Sequence, residues 1–139
     1  MRRPGLWVMA VAVLAGCGGG PTDSTSPTMS SVAGSYTATT FTAANATGTS
    51  DLLAGGASVN AVLDANGTTT GRLVVPASVT GSTAVDEDLT GTWALANTQV
   101  TFNQSGDTFL RDIVFTVSGN TLVGNGAFSG TTLHVVLTK

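Results

Sequence analysis

The chain is poor in the side chains that most enzymes use for chemistry. It has one histidine and one cysteine in 139 residues, and 9% of its residues are charged. A single cysteine excludes an internal disulfide. His134 stands alone, without a G-x-S-x-G elbow, an H-E-x-x-H pair or a glycine-rich phosphate loop elsewhere in the sequence. We therefore predict a protein that is not an enzyme, with no catalytic residue, no metal site and no cofactor.

Positive charge is also scarce. The chain has 5 Lys and Arg against 8 Asp and Glu, a net charge of -3. Removal of residues 1–16, argued below, leaves Arg72, Arg111 and Lys139 against eight carboxylates, a net charge of −5. Three scattered cations cannot follow a phosphate backbone, so the sequence excludes nucleic acid as a partner.

The apolar run at the N-terminus is too short for a permanent membrane span. Residues 5–15 are uncharged and follow Arg2 and Arg3, whereas a spanning helix needs about 20 apolar residues. This length and this charged flank are typical of a secretory signal peptide. Small residues then precede Cys17, which suits cleavage by a signal peptidase.

The stretch Leu14-Ala15-Gly16-Cys17 resembles the lipobox of bacterial lipoproteins. The resemblance implies that residues 1–16 are a cleaved signal peptide and that Cys17 carries diacylglyceryl and a further acyl chain such as palmitate. Several acyl chains anchor a protein stably, since each buried CH₂ contributes about 0.8 kcal/mol. Gly18 stands where an aspartate would resemble an inner-membrane retention signal, so the outer membrane is favoured in a host with two membranes. The alternatives are an ordinary cleaved signal or a buried N-terminal helix.

The rest of the chain divides into a tether and one domain. Residues 17–31 hold the candidate lipidated cysteine and a stretch rich in Gly, Ser, Thr and Pro, which predicts a flexible tether. Residues 32–139 suit a single domain in size. Period-two alternation and frequent Thr, Val and Gly predict an all-β domain. The predicted strands are 34–42, 56–64, 68–75, 89–96, 98–103, 109–117, 120–127 and 131–138.

Eight antiparallel strands with short turns favour a closed β-barrel, because closure removes exposed strand edges. A two-sheet β-sandwich is the runner-up. The two longest connections are 43–55 and 76–88. The second contains Asp86-Glu87-Asp88, which we interpret as a solvated acidic loop, since adjacent side chains on extended backbone diverge.

One aromatic motif points to a family. Gly91-Thr92-Trp93 opens a predicted strand, and Arg111 lies on the inward parity of strand 109–117. A guanidinium over an indole gives a cation–π contact of about 0.5–2 kcal/mol. A Gly-x-Trp strand start with an arginine over the indole resembles the lipocalin-like (calycin) barrels. The resemblance implies a barrel whose interior holds a small apolar molecule.

The candidate ligand-binding residues are Tyr36, Trp93, Arg111 and Phe115. An eight-stranded barrel is just wide enough to hold one ligand or to pack solid. Inward Ala57, Ala61, Gly91 and Gly124 would leave room, whereas five aromatic side chains could fill the space. The packed interior is the favoured alternative. The five inward aromatic residues are Trp93, Phe102, Phe109, Phe115 and Phe128.

Several valines alternate outward on the predicted strands, and an exposed apolar cluster commonly marks a partner site. We take Val114 and Val136 as the candidate partner surface. The other outward valines are Val62, Val74 and Val123. The sequence thus predicts an exported, membrane-anchored, non-catalytic envelope module. Its function is to bind a small apolar ligand inside the barrel or to dock an envelope protein on its surface.

Overall fold

The computed structural model describes residues 26–106, 108–128 and 130–139. The lipobox residues 14–17 and the tether as far as residue 25 lie outside the described residues.

The described chain forms ten antiparallel strands in one sheet, and eight of them close into a barrel. The barrel follows the order β1-β3-β4-β6-β7-β8-β9-β10, and β10 pairs back with β1. The prediction of a single all-β barrel of about eight strands is confirmed, and the sandwich alternative does not form. The strands are β1 (Gly34–Asn45), β2 (Gly48–Asp51), β3 (Ser58–Leu63), β4 (Thr68–Val75), β5 (Val85–Asp88), β6 (Gly91–Ala96), β7 (Gln99–Gln104), β8 (Phe115–Ser118), β9 (Thr121–Phe128) and β10 (Thr131–Thr138).

Two of the ten strands lie outside the closed barrel. β2 pairs with the second half of β1, and β5 pairs with the second half of β4. Both lie in the segments 43–55 and 76–88, which the sequence predicted as connections. β3 pairs only with residues 34–37 of β1, and β2 supplies hydrogen-bond partners to residues 42–45 of the same edge.

The predicted strand 109–117 is wrong in its first half. A 3-10 helix spans Phe109–Asp112, and β8 begins only at Phe115. The buried side chains are Leu110 and Ile113. Their spacing of three residues matches a helical turn and not the alternation of a strand.

A short helix covers one end of the barrel, which we call the α1 end. Helix α1 (Met29–Val32) is capped by Thr28, whose hydroxyl accepts a hydrogen bond from the Ser31 amide at 3.1 Å. The Ser31 hydroxyl accepts one from the Thr28 amide at 2.8 Å, which completes a capping box. Residues 28–31, assigned to the tether on sequence, therefore form a capped turn on the barrel, and Val32 is fully buried.

The opposite end, which we call the far end, is covered by loops and helix α2 (Ala77–Thr80). Three aromatic side chains contact one another in a row there, one pair tilted and the other edge to face. The Phe41 and Phe109 ring centroids lie 5.4 Å apart, and those of Phe109 and Phe128 lie 6.1 Å apart. Among the described residues, every buried side-chain nitrogen or oxygen has a hydrogen-bond partner, so no polar side chain is left unsatisfied in this part of the core.

Candidate functional site

Tyr36 lies in the barrel interior close to the α1 end. Its side chain is 2% exposed, and its hydroxyl donates a hydrogen bond to the Val32 carbonyl at 2.6 Å. Burial raises the pKa of this phenol, because the ionised form would lose its hydration. Tyr36 therefore connects β1 to the last residue of α1.

The Lys139 ammonium lies over the ring of Tyr36. It lies 5.7 Å from the Tyr36 ring centroid, donates to the Ala33 carbonyl at 3.0 Å and also donates to the Ser31 carbonyl. A cation is favourable near the carbonyls at a helix C-terminus. No local sequence pattern predicts this contact, because it depends on β10 lying next to β1.

Trp93 and Phe115 lie on either side of Phe102. Trp93 is 4% exposed and its Nε1–H donates to the Asp64 carbonyl at 2.8 Å. It pairs with Phe102 across β6 and β7, and the Phe102 and Phe115 rings meet edge to face at 5.4 Å. Both side chains point inward, as their strand positions predicted.

Arg111 does not lie on the inner face of a strand. It belongs to the 3-10 helix, its side chain is 40% exposed, and its Nε lies 3.9 Å from an Asp112 carboxylate oxygen. The predicted inward placement is wrong because the backbone turns at Phe109 instead of extending. Of the four candidate ligand residues, Tyr36, Trp93 and Phe115 are interior and Arg111 is at the surface; their role in ligand binding stays a prediction.

Two of the small residues that were expected to leave room, Gly91 and Gly124, are closely approached by neighbouring atoms. A Cβ added at Gly124 would lie 2.5 Å from Ile113 Cγ2 and 2.7 Å from Phe115 Cε1. A Cβ at Gly91 would meet the Asn103 carbonyl oxygen at 2.2 Å. These glycines therefore accommodate neighbouring atoms and do not line a cavity.

The outward valines do not form one cluster. Val136 on β10 is the register partner of Val123 on β9, so these two lie side by side. Val114 is 47% exposed, but it lies in the chain before β8. Val62 and Val74 lie on β3 and β4, away from the other three.

Charge is unevenly distributed around the barrel. None of the residues of the neighbouring strands β8, β9, β10 and β1 is Asp, Glu, Lys or Arg, and we call the outer side of these strands the neutral face. Its central residues include the Val123–Val136 pair, flanked by Thr116 and Thr40. His134 lies on the same face, with its Nδ1 2.6 Å from Asn125 Oδ1.

The charged side of the barrel is built on β4 and β5. Arg72 donates from Nε to Asp86 Oδ1 at 2.6 Å and from Nη2 to Oδ2 at 2.9 Å. This bidentate bond lowers the pKa of Asp86 and raises the pKa of Arg72. Asp88 lies 3.6 Å from the same guanidinium. The acidic stretch 86–88 was predicted as a loop. It belongs instead to β5, an edge strand that pairs with β4.

A pocket of about 320 Å³ opens at the far end. Its apolar lining is Ala43, Leu52, Val75 and Val79. The remaining lining residues carry neutral polar side chains: Asn45, Ser50, Thr80 and Thr131. This volume is at the lower limit for a small-molecule site.

The described residues contain no group of three or more His, Cys, Asp or Glu side chains placed to hold a metal ion. None of the described helices has the length and apolar character needed to cross a membrane. Comparisons with protein-family models, with curated proteins and with solved structures find no match.

Proposed function

We propose that this chain is an exported, lipid-anchored and non-catalytic envelope protein whose solid barrel works by docking a protein partner on its outer surface. The observation that carries the proposal is the close packing at Gly124, where Ile113 and Phe115 occupy the space beside the backbone. A barrel packed in this way offers its outer surface for recognition. The sequential eight-strand order and Gly91-Thr92-Trp93 on β6 support kinship with the lipocalin-like barrels.

The lipobox and the position of α1 together support the anchor. Thr28 is the N-terminal cap of α1, and the proposed tether is the stretch 18–27 that precedes it. At about 3.3–3.6 Å per residue, ten residues reach at most about 35 Å. Cys17→Ser should leave the precursor uncut and without an acylated N-terminal peptide, as seen by mass spectrometry; normal membrane attachment of this variant would contradict the anchor.

Native mass spectrometry tests the packed interior. Mature protein extracted without denaturation should have the mass of the bare acylated chain, and acid unfolding should release nothing. An additional mass that disappears on unfolding would show a bound ligand and would overturn the solid barrel.

A charged substitution tests whether the neutral face is the partner site. Val136→Asp places a carboxylate in the centre of the neutral face and should abolish association while the fold is kept, as judged by circular dichroism. Val62→Asp is the matched control, because Val62 is half-buried like Val136 but lies on β3, outside the four strands. Equal loss in both variants would argue against the neutral face as the docking surface.

The far-end pocket favours a second candidate function, the binding of a small neutral ligand. Leu52, Val75 and Val79 offer an apolar floor, and no charged side chain lines the pocket. The neutral fluorophore N-phenyl-1-naphthylamine should then bind the wild type and not Val79→Asp. Unchanged fluorescence in the variant would exclude this pocket.

A further inference from the structure

Three asparagines of this chain stand in the acceptor pattern for N-linked glycans, Asn-x-Ser/Thr with x other than Pro, which we call a sequon. They are Asn45 in N-A-T, Asn66 in N-G-T and Asn103 in N-Q-S. The bacterial form of the pattern has in addition an acidic residue two positions before the asparagine. Asn66 has Asp64 at that position, whereas the other two sequons have Ala and Thr there. The stretch 64–68, D-A-N-G-T, is therefore the complete acceptor pattern of the chain.

Asn66 lies where the folded barrel can carry a glycan. It is exposed in the turn between β3 and β4, and Gly67 after it has a φ of 92°. The Gly67 amide closes the turn by donating to the Asp64 carbonyl at 3.0 Å. Among the described residues, the contacts of the Asn66 side chain are made by its Oδ1, and its Nδ2 forms no hydrogen bond. A sugar attached to Nδ2 would therefore break no contact of the fold.

The hydrogen bonds of this side chain also favour the reaction of its amide. The Thr68 backbone N–H donates to Asn66 Oδ1 at 3.0 Å, and the Thr68 hydroxyl donates to the same oxygen at 2.7 Å. Two donors on the amide oxygen stabilise the negative charge that it gains when Nδ2 loses a proton. The Thr68 hydroxyl lies 3.1 Å from Asp64 Oδ2 as well, so the three side chains of the pattern are in contact.

The other two sequons lack part of this arrangement. At Asn45, Thr47 makes the same two contacts with Oδ1, at 2.9 and 2.6 Å, but no carboxylate stands two residues earlier. Asn103 lies within β7, and the Ser105 hydroxyl donates to the Thr90 carbonyl at 3.2 Å. Asn66 is thus the position at which the complete pattern, the exposed turn and the hydrogen bonds coincide.

We propose that Asn66 is a site of N-linked glycosylation whose donor is an oligosaccharide linked to a polyprenyl diphosphate. In this step Nδ2 of Asn66 attacks C1 of the first sugar, and the bond between C1 and the diphosphate oxygen breaks. The polyprenyl diphosphate leaves with the bonding electrons, and one Nδ2 proton passes to a base of the transferase. Such transferases act on exported chains, so the proposal rests on the proposed export.

Expression of the full chain in a bacterial host that makes such a transferase and its lipid-linked oligosaccharide tests the site. Intact mass spectrometry reads two changes separately, the loss of residues 1–16 and the addition of one glycan. The wild type should carry one glycan, and Asn66→Gln should carry none. Asn45→Gln is the matched control, because it removes the other sequon that lies in a turn, and it should keep the glycan.

Two further positions test the pattern while Asn66 is kept. Thr68→Val removes the hydroxyl and should abolish the addition, whereas Thr68→Ser keeps a hydroxyl and should retain it. Asp64→Asn removes the charge but keeps an oxygen near Thr68, and it should lower the glycosylated fraction several-fold.

The same spectra separate failure of this proposal from failure of the proposed export. A wild type that has lost residues 1–16 but carries no glycan would overturn the site alone. A glycan that persists in Asn66→Gln or in Thr68→Val would overturn it too, because the sugar would then be attached elsewhere or by another reaction. A chain that keeps residues 1–16 would contradict the export, and with it the access of Asn66 to the transferase.

Discussion

Gly124 is the residue at which the packing of the barrel can be measured most directly. Its missing side chain leaves space that Ile113 and Phe115 occupy. Gly124→Ala inserts a methyl group into this contact and should lower the free energy of unfolding by about 1–3 kcal/mol. Urea unfolding followed by the fluorescence of Trp93, the one tryptophan after residue 16, measures the change.

The control is a double-mutant cycle with Ile113→Ala. If the added methyl group clashes with Ile113, the double variant should lose less stability than the sum of the two single variants. Simple additivity, or an unchanged Gly124→Ala, would show that the interior has spare room at this position.

Tyr36 gives a second residue-scale prediction. Tyr36→Phe removes the hydrogen bond to the Val32 carbonyl and keeps the ring, so it should reduce stability by about 1 kcal/mol. Thermal unfolding of the two proteins at neutral pH provides the measurement. An unchanged midpoint would mean that water replaces the phenol at this carbonyl.

The pH dependence follows from the raised pKa of Tyr36. The unfolded chain ionises its tyrosine near pH 10, whereas the folded protein holds the proton to higher pH because the phenol is buried. The unfolded state therefore binds fewer protons in this interval, and stability should fall as the pH rises above about 10. Absorbance at 295 nm reports this one tyrosine, and Tyr36→Phe should show a weaker alkaline loss.

At the scale of elements, β4 and β10 were predicted with their observed bounds. In both strands apolar and polar residues alternate, and turn residues mark where the strand begins. The bounds of β8 were not predicted, because Phe109, Arg111 and Ile113 occupy alternate positions and this pattern extended the predicted strand to 109–117. The decisive signal was the three-residue spacing of Leu110 and Ile113, which competes with that alternation. The same error moved Arg111 into the interior of the predicted site.

Other parts of the site depend on which strands become neighbours. The inward positions of Tyr36, Trp93 and Phe115 follow from local parity and were predictable. The Lys139 contact with Tyr36 requires closure of β10 onto β1, and no local pattern encodes it. The edge strand β5 has three carboxylates, which are typical of a solvated loop. For this reason its pairing with β4 was not predicted from the sequence.

Lys139 also tests how α1 is held. Lys139→Met removes the donors to the Ser31 and Ala33 carbonyls and should loosen α1 while the barrel stays closed. Hydrogen exchange should accelerate at the Val32 and Ala33 amides, which bond within this turn. Lys139→Arg keeps the charge and should preserve part of the protection; uniform acceleration throughout the barrel would contradict a local role.

At the scale of the whole molecule, the proposed anchor at Cys17 predicts that the α1 end is nearer the membrane than the far end. Asn120 lies in the hairpin near the α1 end, and Thr49 lies in β2 near the far end. A fluorophore at Asn120→Cys should be quenched more strongly by nitroxide lipids than one at Thr49→Cys. Equal quenching would mean that the tether lets the barrel turn freely.

Closure of the barrel has a consequence for how the chain folds. Thr37 pairs with Thr138, so the first strand has no partner on that side until the last strand is present. Contacts between such distant residues slow folding, and the waiting strand edge is open to association with other chains. On the proposed export route, the N-terminus would leave the translocation channel first and the barrel could not close until β10 emerged. On that route the barrel would complete its fold only when secretion ends, and until then the unpaired edge of β1 would be exposed to aggregation.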